Sequence, residues 1–212
     1  MIVIEPLTAD RIESTARIHR TAFPDSLITA LGPEAARRYY RWLLQGPHDS
    51  VGIAALDDGE LAGFLVGGRF QGAVSGYMRA NRPFLIGRML LRPWLIARPD
   101  FFRKVSWRTL KRTFRRSAPP SGLNSTLNST SKPRRSFGVL SIAVDPARQG
   151  RGVGAALMIE AERQAREQGY DAMDLTVAPT NAAAVRLYEK LGWSRETPAD
   201  GVWTGTMRKA LS

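Results

Sequence analysis

The sequence predicts an α/β fold, and two stretches of alternating strand and helix patterns carry that prediction. Residues 2–68 have the order strand, helix, helix, strand, strand, and residues 138–207 have the order strand, helix, strand, helix, strand. A basic stretch separates the two. With 212 residues in all, we expect one domain, residues 1–212, that contains an insertion.

The elements of the first stretch follow from short local signals. Ile2–Glu5 is a β-rich run. Apolar residues at helical spacing predict a helix over 9–23, with Thr8 or Asp10 as its cap, and Gly32-Pro33 predicts the start of a second helix. The turn sequence Asp-Asp-Gly-Glu then predicts a hairpin between strands 51–56 and 61–68.

The second stretch begins with an almost continuous apolar run, Gly138–Val144, which predicts a buried central strand. Apolar residues at helical spacing follow from Val153, and Gly169 predicts the end of that helix. Three further elements are predicted in order: a strand over 173–177, a helix over 181–191 and a strand over 202–207.

The charge of the chain is concentrated between the two stretches. Residues 79–116 hold twelve basic residues and one acid, Asp100, whereas the whole chain carries a net charge of +12. Proline positions predict two amphipathic basic helices here, 84–96 and 101–116, and a Ser/Asn/Thr-rich flexible linker follows over 117–135. Three interpretations stay open: a cover for the core with solvated arginines, a docking surface for an anionic membrane, and an RNA contact, which is the least favoured.

Composition excludes several chemistries. The chain has no cysteine, which removes disulfides, thiolate metal sites and cysteine nucleophiles. Its two histidines, His19 and His48, lack ligand spacing, so we expect no metal site. No basic leader precedes the first strand, and no apolar run is long enough to span a bilayer. We therefore expect a cytoplasmic protein, peripheral at the inner membrane surface if the basic segment docks there.

The strongest chemical signal is Gln-Gly-Arg-Gly-Val-Gly at 149–154, between a predicted strand and a predicted helix. Glycines let backbone N–H groups approach a phosphate, and the start of a helix adds free N–H donors and the positive end of its dipole. Arg148 and Arg151 would add charge. We therefore predict that this loop binds a pyrophosphate; the alternative is an ordinary glycine-rich turn.

Residues 138–211 resemble the GNAT acetyltransferases. The family's acetyl-CoA loop has the pattern Q/R-x-x-G-x-G/A, which Gln149, Gly152 and Gly154 match, and the run Asn181–Trp193 resembles the helix that follows it. The resemblance implies a mixed central sheet of about six to seven strands flanked by helices. Residues 69–136, which include the basic helical insertion, have no counterpart in the compact family core.

The resemblance also implies roles for individual residues. Strand residues Ile142, Ala143 and Val144 would pair with the pantetheine arm of acetyl-CoA, and an N–H near Val144 would polarise the thioester carbonyl. Tyr188 would be the general acid that protonates the departing thiolate, or else a core residue. Asn181 would contact the cofactor, cap its helix, or do both. The pyrophosphate would lie on the loop residues Arg148, Gln149, Gly150, Arg151, Gly152, Val153, Gly154 and Ala155.

The function that follows is direct transfer of an acetyl group from acetyl-CoA to a primary amine, without a metal or a covalent acyl-enzyme. The basic insertion favours a small anionic acceptor such as an amino sugar. The alternatives are a protein amine or aminoacyl-tRNA, and a non-catalytic module that binds acetyl-CoA or docks on a membrane. The general base is not identified: His19, Asp25, Ser26 and Glu34 lie near the acceptor side, each with a structural alternative, and water is a further one.

Overall fold

The computed structural model describes residues 1–70, 73–91, 135–198 and 201–211. These residues form a mixed sheet of seven strands with helices on both faces, which confirms the predicted fold class. The strands lie in the order β1-β2-β3-β4-β5-β7-β6, and only β4 and β5 run parallel. The strands are β1 (Ile2–Pro6), β2 (Asp49–Asp57), β3 (Glu60–Arg69), β4 (Ser136–Val144), β5 (Ala172–Thr176), β6 (Ser194–Arg195) and β7 (Thr206–Ala210).

Helices occupy both faces of the sheet because adjacent residues of each central strand point to opposite sides. On β2, Ile53 and Ala55 join one apolar cluster, whereas Ala54 and Leu56 join the other. The helices are α1 (Ile12–Ala22), α2 (Leu27–Leu31), α3 (Pro33–Gln45), α4 (Ala73–Ala80), α5 (Arg82–Leu90), α6 (Val153–Glu167) and α7 (Ala182–Lys190). Helices α1 to α5 supply the cluster on one face, and α6 and α7 supply the cluster on the other.

Several predicted boundaries are wrong in detail. A 3-10 turn, Ala9–Arg11, precedes α1, and Thr8 makes no side-chain capping bond there. Helix α2, helix α4 and the short strand β6 were not predicted. The last strand begins at Thr206 instead of residue 202, because the chain before it makes a turn in which Gly205 has φ +102°. The Asp58-Gly59 hairpin turn is confirmed, with φ values of 53° and 79°.

The start of the insertion packs on the core. Helix α4 lies against α3: the Tyr77 hydroxyl donates to the Ala35 carbonyl at 3.1 Å, and the Trp42 indole donates to the Ala73 carbonyl at 2.9 Å. The predicted helix from Phe84 begins at Arg82 as α5 and buries Leu85. The rest of that helix, the predicted helix over 101–116 and residues 117–134 of the predicted linker lie outside the described residues.

Strand β4 is only partly buried, contrary to the prediction of a buried central strand. Leu140 is 38% exposed. It is the extra residue of a β-bulge, because Val139 pairs with Gly67 and Ser141 pairs with Val66. Before the bulge, Phe137 and Val139 belong to the α6 face; after it, Ala143 belongs to the α1–α3 face.

Gly68 on β3 and Gly138 on β4 pair with each other but differ in the space available for a side chain. Gly68 has φ +132°, and a Cβ there would lie 2.1 Å from the Asp49 carbonyl oxygen, whereas a Cβ on Gly138 would meet nothing closer than 3.5 Å. We expect Gly68→Ala to lower the free energy of unfolding by about 2–3 kcal/mol. Gly138→Ala, the matched control, should change it by about 0.5 kcal/mol. Urea denaturation measures both, and equal losses would contradict this account of Gly68.

Candidate functional site

The site lies where β4 and β5 separate. The two strands pair from Ser136–Ala172 to Val139–Leu175 and no further. Beyond the bulge, residues 141–144 remain paired with β3, but among the described residues no strand pairs with their other edge. Apart from the Val144 carbonyl, which accepts from the Gln149 side chain at 3.4 Å, the backbone groups on that edge, in the stretch that includes Ile142, Ala143 and Val144, are therefore free to bind an extended ligand.

A loop of free amides lies at the end of this edge. Gly150 and Gly152 have φ values of 77° and 82°, a left-handed conformation that favours glycine, and Gly152 caps α6. Within the described chain, none of the backbone N–H groups from Gly150 to Ala155 donates to a protein acceptor. The first helix bond is made by Ala156, whose N–H donates to the Gly152 carbonyl. Such a cradle, at the positive end of a 15-residue helix, suits a pyrophosphate.

Space around the loop also fits a ligand. A Cβ on Gly150 or Gly152 would meet no atom within 4 Å, so the loop is open on that side. Gly154 is different, because its Cβ would lie 3.2 Å from Leu187 and 3.8 Å from Val144. The close approach at Gly154 brings the start of α6, the end of β4 and the middle of α7 together at one point.

The two arginines beside the loop are already engaged. Arg148 donates to the Asp57 carbonyl at 2.7 Å and pairs with the carboxylates of Asp57 and Glu60, at 3.2 and 2.5 Å. Arg151 pairs with Asp57 at 3.2 Å but remains 62% exposed. The structure therefore ties Arg148 to the β2–β3 turn, which weakens its predicted role at a phosphate and leaves Arg151 as the more available cation.

Tyr188 lies on α7 with its ring buried at 5% exposure, packed near Trp193. Burial raises the pKa of its hydroxyl to about 12, so the group stays protonated at neutral pH. Among the described residues the hydroxyl has no hydrogen-bond partner, yet it is not one of the fully enclosed polar atoms. A protonated hydroxyl that is not fully enclosed can serve as a proton donor.

Asn181 caps α7, as one of its two alternatives predicted. Its side chain accepts from the Ala184 N–H at 3.2 Å, and the residue is exposed. Glu34 and Asp25 are two of the four candidate bases. Glu34 is not a free carboxylate, and Asp25 is not buried. Arg37 and Arg38 hold Glu34 by ion pairs at 2.9 and 2.8 Å, and Asp25 is exposed.

The other two candidates, His19 and Ser26, belong to a buried hydrogen-bond chain that reaches β4. Tyr40 on α3 lies 2.6 Å from His19 Nδ1 and 3.0 Å from Ser141 Oγ, while His19 Nε2 lies 3.0 Å from Ser26 Oγ. Sequence analysis missed Tyr40 and Ser141. The only signal was the helical spacing that placed Tyr40 on the apolar side of α3.

A metal-binding group and a membrane-spanning helix are both absent from the described ranges. No three histidine, aspartate or glutamate side chains there converge closely enough to hold a metal ion. No helix in those ranges has the length and apolar character needed to cross a membrane. Helix α5 exposes Ile86 and Leu90, and Leu91 directly after it is also exposed. The membrane and RNA interpretations of residues 79–116 stay predictions.

Comparison with known proteins agrees with this geometry. Residues 125–193 match the model of the acetyltransferase (GNAT) family. The matched segment runs from before β4 to just after α7 and includes the glycine loop. Its fold aligns over 100% of its length with 95% of the ribosomal-protein-S18-alanine N-acetyltransferase from Escherichia coli, at TM-score 0.56 and 18% identity. It aligns over the same shares with yncA from Salmonella typhimurium, solved with its cofactor acetyl-CoA, at TM-score 0.57 and 16% identity.

Sequence relatives match over short segments. Mycothiol acetyltransferase from Thermobispora bispora is 44% identical over 59 residues, 28% of this chain and 20% of that protein. The bS18-alanine N-acetyltransferase of Escherichia coli K12 is 39% identical over 59 residues, 28% of this chain and 40% of that protein. The chain thus aligns with between a fifth and two fifths of these relatives' length, and the two names refer to different molecules.

Proposed function

We propose that this protein is an acetyl-CoA-dependent N-acetyltransferase that acts on a primary amine. The observation that carries the proposal is the continuity of two free backbone surfaces: the open edge of β4 at 140–144 and the free amides at Gly150–Ala155. The first suits an extended pantetheine arm and the second suits a pyrophosphate. Both lie in the part of the chain that matches the GNAT family model.

We assign the binding of acetyl-CoA mainly to backbone groups and less to side chains. The amides of Gly150, Arg151, Gly152, Val153, Gly154 and Ala155 would hold the pyrophosphate, with the exposed Arg151 side chain adding charge. The Gln149 N–H, which was expected to join them, donates to the Pro146 carbonyl at 3.5 Å. The backbone of Ile142, Ala143 and Val144 would align the arm, and an N–H near Val144 would polarise the thioester carbonyl. Asn181 would continue to cap α7. Because its side chain is exposed, it would also contact the ligand.

The reaction is a direct transfer. The amine nitrogen attacks the thioester carbonyl, a C–N bond forms and the C–S bond breaks. Tyr188 then donates its hydroxyl proton to the departing thiolate, the attacking nitrogen loses a proton to water, and Tyr188 regains its proton from water. The raised pKa of Tyr188 keeps its hydroxyl protonated at neutral pH until the thiolate forms. The absence of cysteine from the sequence agrees with a mechanism that has no thiol nucleophile.

The chemical class of the acceptor is proposed from the charge of the surface formed by α3 to α5. Arg41, Arg79 and Arg82 are exposed on α3 to α5, on the face of the sheet opposite α6. Such a surface favours a small anionic amine, for example an amino sugar that carries a phosphate or carboxylate. A protein amine is the second candidate, since one of the matched relatives is named for an alanine of a ribosomal protein.

The loop assignment is tested by Gly152→Asp. A carboxylate there would face the pyrophosphate, so we expect acetyl-CoA binding to fall below detection in calorimetric titration. Gly169→Asp is the matched control, because Gly169 lies at the other end of α6, with φ +69° and open space around it. Equal affinity in the two variants would contradict the assignment.

Catalysis is tested by the release of CoA thiol, followed with a colorimetric disulfide reagent to which a chain without cysteine contributes no background. The panel consists of amino-sugar phosphates, polyamines, peptides with free N-termini and aminoacyl-tRNA. We expect release with one acceptor class. With that acceptor, Tyr188→Phe should lower kcat by about a hundredfold while acetyl-CoA affinity is retained.

Tyr170→Phe is the control for this variant. Tyr170 is equally buried in the same apolar cluster, beside Phe137, so its loss of a hydroxyl reports only on packing. Full activity of Tyr188→Phe would reduce Tyr188 to a core residue. A wild-type protein that binds no acetyl-CoA and releases no CoA with any amine would overturn the proposed function.

A further inference from the structure

A continuous line of hydrogen bonds crosses the α1–α3 layer from the interior of the sheet to the protein surface. It begins at Ser141 on β4, passes through the Tyr40 hydroxyl at 3.0 Å and reaches His19 Nδ1 at 2.6 Å. From His19 Nε2 it continues to Ser26 Oγ at 3.0 Å, and Ser26 donates to Thr29 Oγ1 at 3.0 Å. These residues come from β4, α3, α1 and the start of α2, so tertiary packing alone assembles the line.

One end of the line lies at the proposed site. Ser141 belongs to the stretch 140–144, directly after the bulge, where the edge of β4 is free. Its hydroxyl points into the α1–α3 layer, away from the loop and α6. An acceptor amine that approaches the thioester from this layer would meet Ser141 on the face opposite the departing thiolate.

The interior of the line is dry. Tyr40 is fully buried and His19 is 6% exposed. The rings of Phe23 and Tyr40 lie against His19, with centroids at 4.9 and 5.4 Å, and Tyr39 and Phe64 pack on Tyr40. Burial lowers the pKa of His19 to about 4, and no charged group contributes to that shift. Burial also raises the pKa of Tyr40 well above 10.

These pKa shifts set the direction of the hydrogen bonds. At neutral pH both His19 and Tyr40 are uncharged, so His19 has one N–H and one lone pair. Because the Thr29 N–H donates to Ser26 Oγ at 3.1 Å and the Ser26 hydroxyl donates to Thr29, Ser26 can also accept from His19 Nε2–H. His19 Nδ1 then accepts from Tyr40, and Tyr40 accepts from Ser141. Every hydrogen in the line points away from β4, which leaves a lone pair of Ser141 Oγ open to the site.

We propose that Ser141, Tyr40 and His19 form a proton relay that deprotonates the ammonium form of the acceptor amine before it attacks the thioester, an inference that rests on the proposed function. As an N–H bond of the ammonium group breaks, its proton passes to Ser141 Oγ, the Ser141 proton passes to Tyr40 and the Tyr40 proton passes to His19 Nδ1. The proton on His19 Nε2 moves to Ser26, the Ser26 proton passes to Thr29 Oγ1, and the Thr29 proton leaves to water at the half-buried start of α2. Ser141 touches the substrate, whereas Tyr40 and His19 act through it.

The relay provides a route for the amine proton that no single candidate base provides. Of the four candidate bases, Glu34 is held by two arginines and Asp25 is exposed. Because its pKa is low, His19 does not retain a second proton at neutral pH and passes one on to Ser26. No carboxylate then has to be buried beside the thioester, where desolvation would oppose its charge.

The test compares Tyr40→Phe with Tyr39→Phe in the full chain, with the acceptor found in the CoA-release assay. Tyr40→Phe breaks the line but keeps the ring that packs on Phe64. Tyr39→Phe removes the neighbouring buried hydroxyl, which is not part of the line. At pH 7 we expect Tyr40→Phe to lower kcat/KM for the amine by about a hundredfold, and Tyr39→Phe to leave it unchanged. Acetyl-CoA affinity should be unchanged in both.

A pH profile separates a relay from a structural role. As the pH approaches the pKa of the amine, about 10 for an alkylamine, the acceptor arrives already deprotonated and the relay is no longer needed. The deficit of Tyr40→Phe should therefore shrink toward pH 10, whereas damage to packing would lower activity equally at every pH. Ser141→Ala should behave like Tyr40→Phe, and Ser141→Thr, which keeps a hydroxyl, should retain most of the activity.

Three outcomes have separate meanings. A deficit that is present at pH 7, absent near pH 10 and repaired by Ser141→Thr supports the relay. An active wild type in which Tyr40→Phe and Ser141→Ala match Tyr39→Phe, or in which their deficit does not vary with pH, overturns the relay and leaves the proposed function intact. A wild type that releases no CoA with any amine overturns the proposed function, and the relay with it.

Discussion

The divergence of β4 from β5 is the constraint on which the rest of the site depends. Two parallel strands that stayed paired would satisfy each other's backbone groups and leave no room for a ligand. Here the pairing stops at Val139–Leu175, and the bulge at Leu140 reverses which residues of β4 face each layer. The same bulge directs Ser141 toward Tyr40, so one local irregularity serves both the free edge and the proposed relay.

The loop after β4 extends that unpaired edge. A 3-10 turn at Pro146–Arg148, capped by Asp145, leads into the two left-handed glycines, and α6 begins at once with its free amides. The ion pairs of Arg148 with Asp57 and Glu60 fasten the loop to the β2–β3 hairpin. Backbone donors held in this way need little reorganisation when an anion binds, which is how a preorganised site gains affinity. The conformation of the loop thus depends on its contacts with the rest of the fold as well as on its glycines.

The parts of this structure that sequence predicts are those with local causes. An Asp-Gly pair between two apolar runs predicts the β2–β3 hairpin, and a glycine loop between strand and helix patterns predicts the free amides at Gly150–Ala155. Asn181 at the start of a helical pattern predicts the cap on α7, and the structure confirms it. Each signal lies within a few residues of the feature it predicts.

The parts that sequence does not predict depend on distant partners. The contact of Arg148 with Asp57 is one of them, because nothing near Arg148 in the chain suggests a partner that lies 91 residues away. Tyr40 and Ser141 are 101 residues apart, so helical spacing marks Tyr40 only as core. The bulge at Leu140 appears only in the register with β3, and the short strand β6 forms only because β7 lies beside it.

The central claim is that the free backbone of β4 and the free amides of α6 bind two parts of one ligand. Amide NMR spectra recorded while CoA or pantetheine is added test it most directly, because pantetheine lacks the pyrophosphate. The account predicts that CoA shifts the amides of residues 140–144 together with those of Gly150–Ala155, whereas pantetheine shifts those of 140–144 alone. Shifts confined to other parts of the sheet, or a loop that responds equally to both compounds, would contradict it.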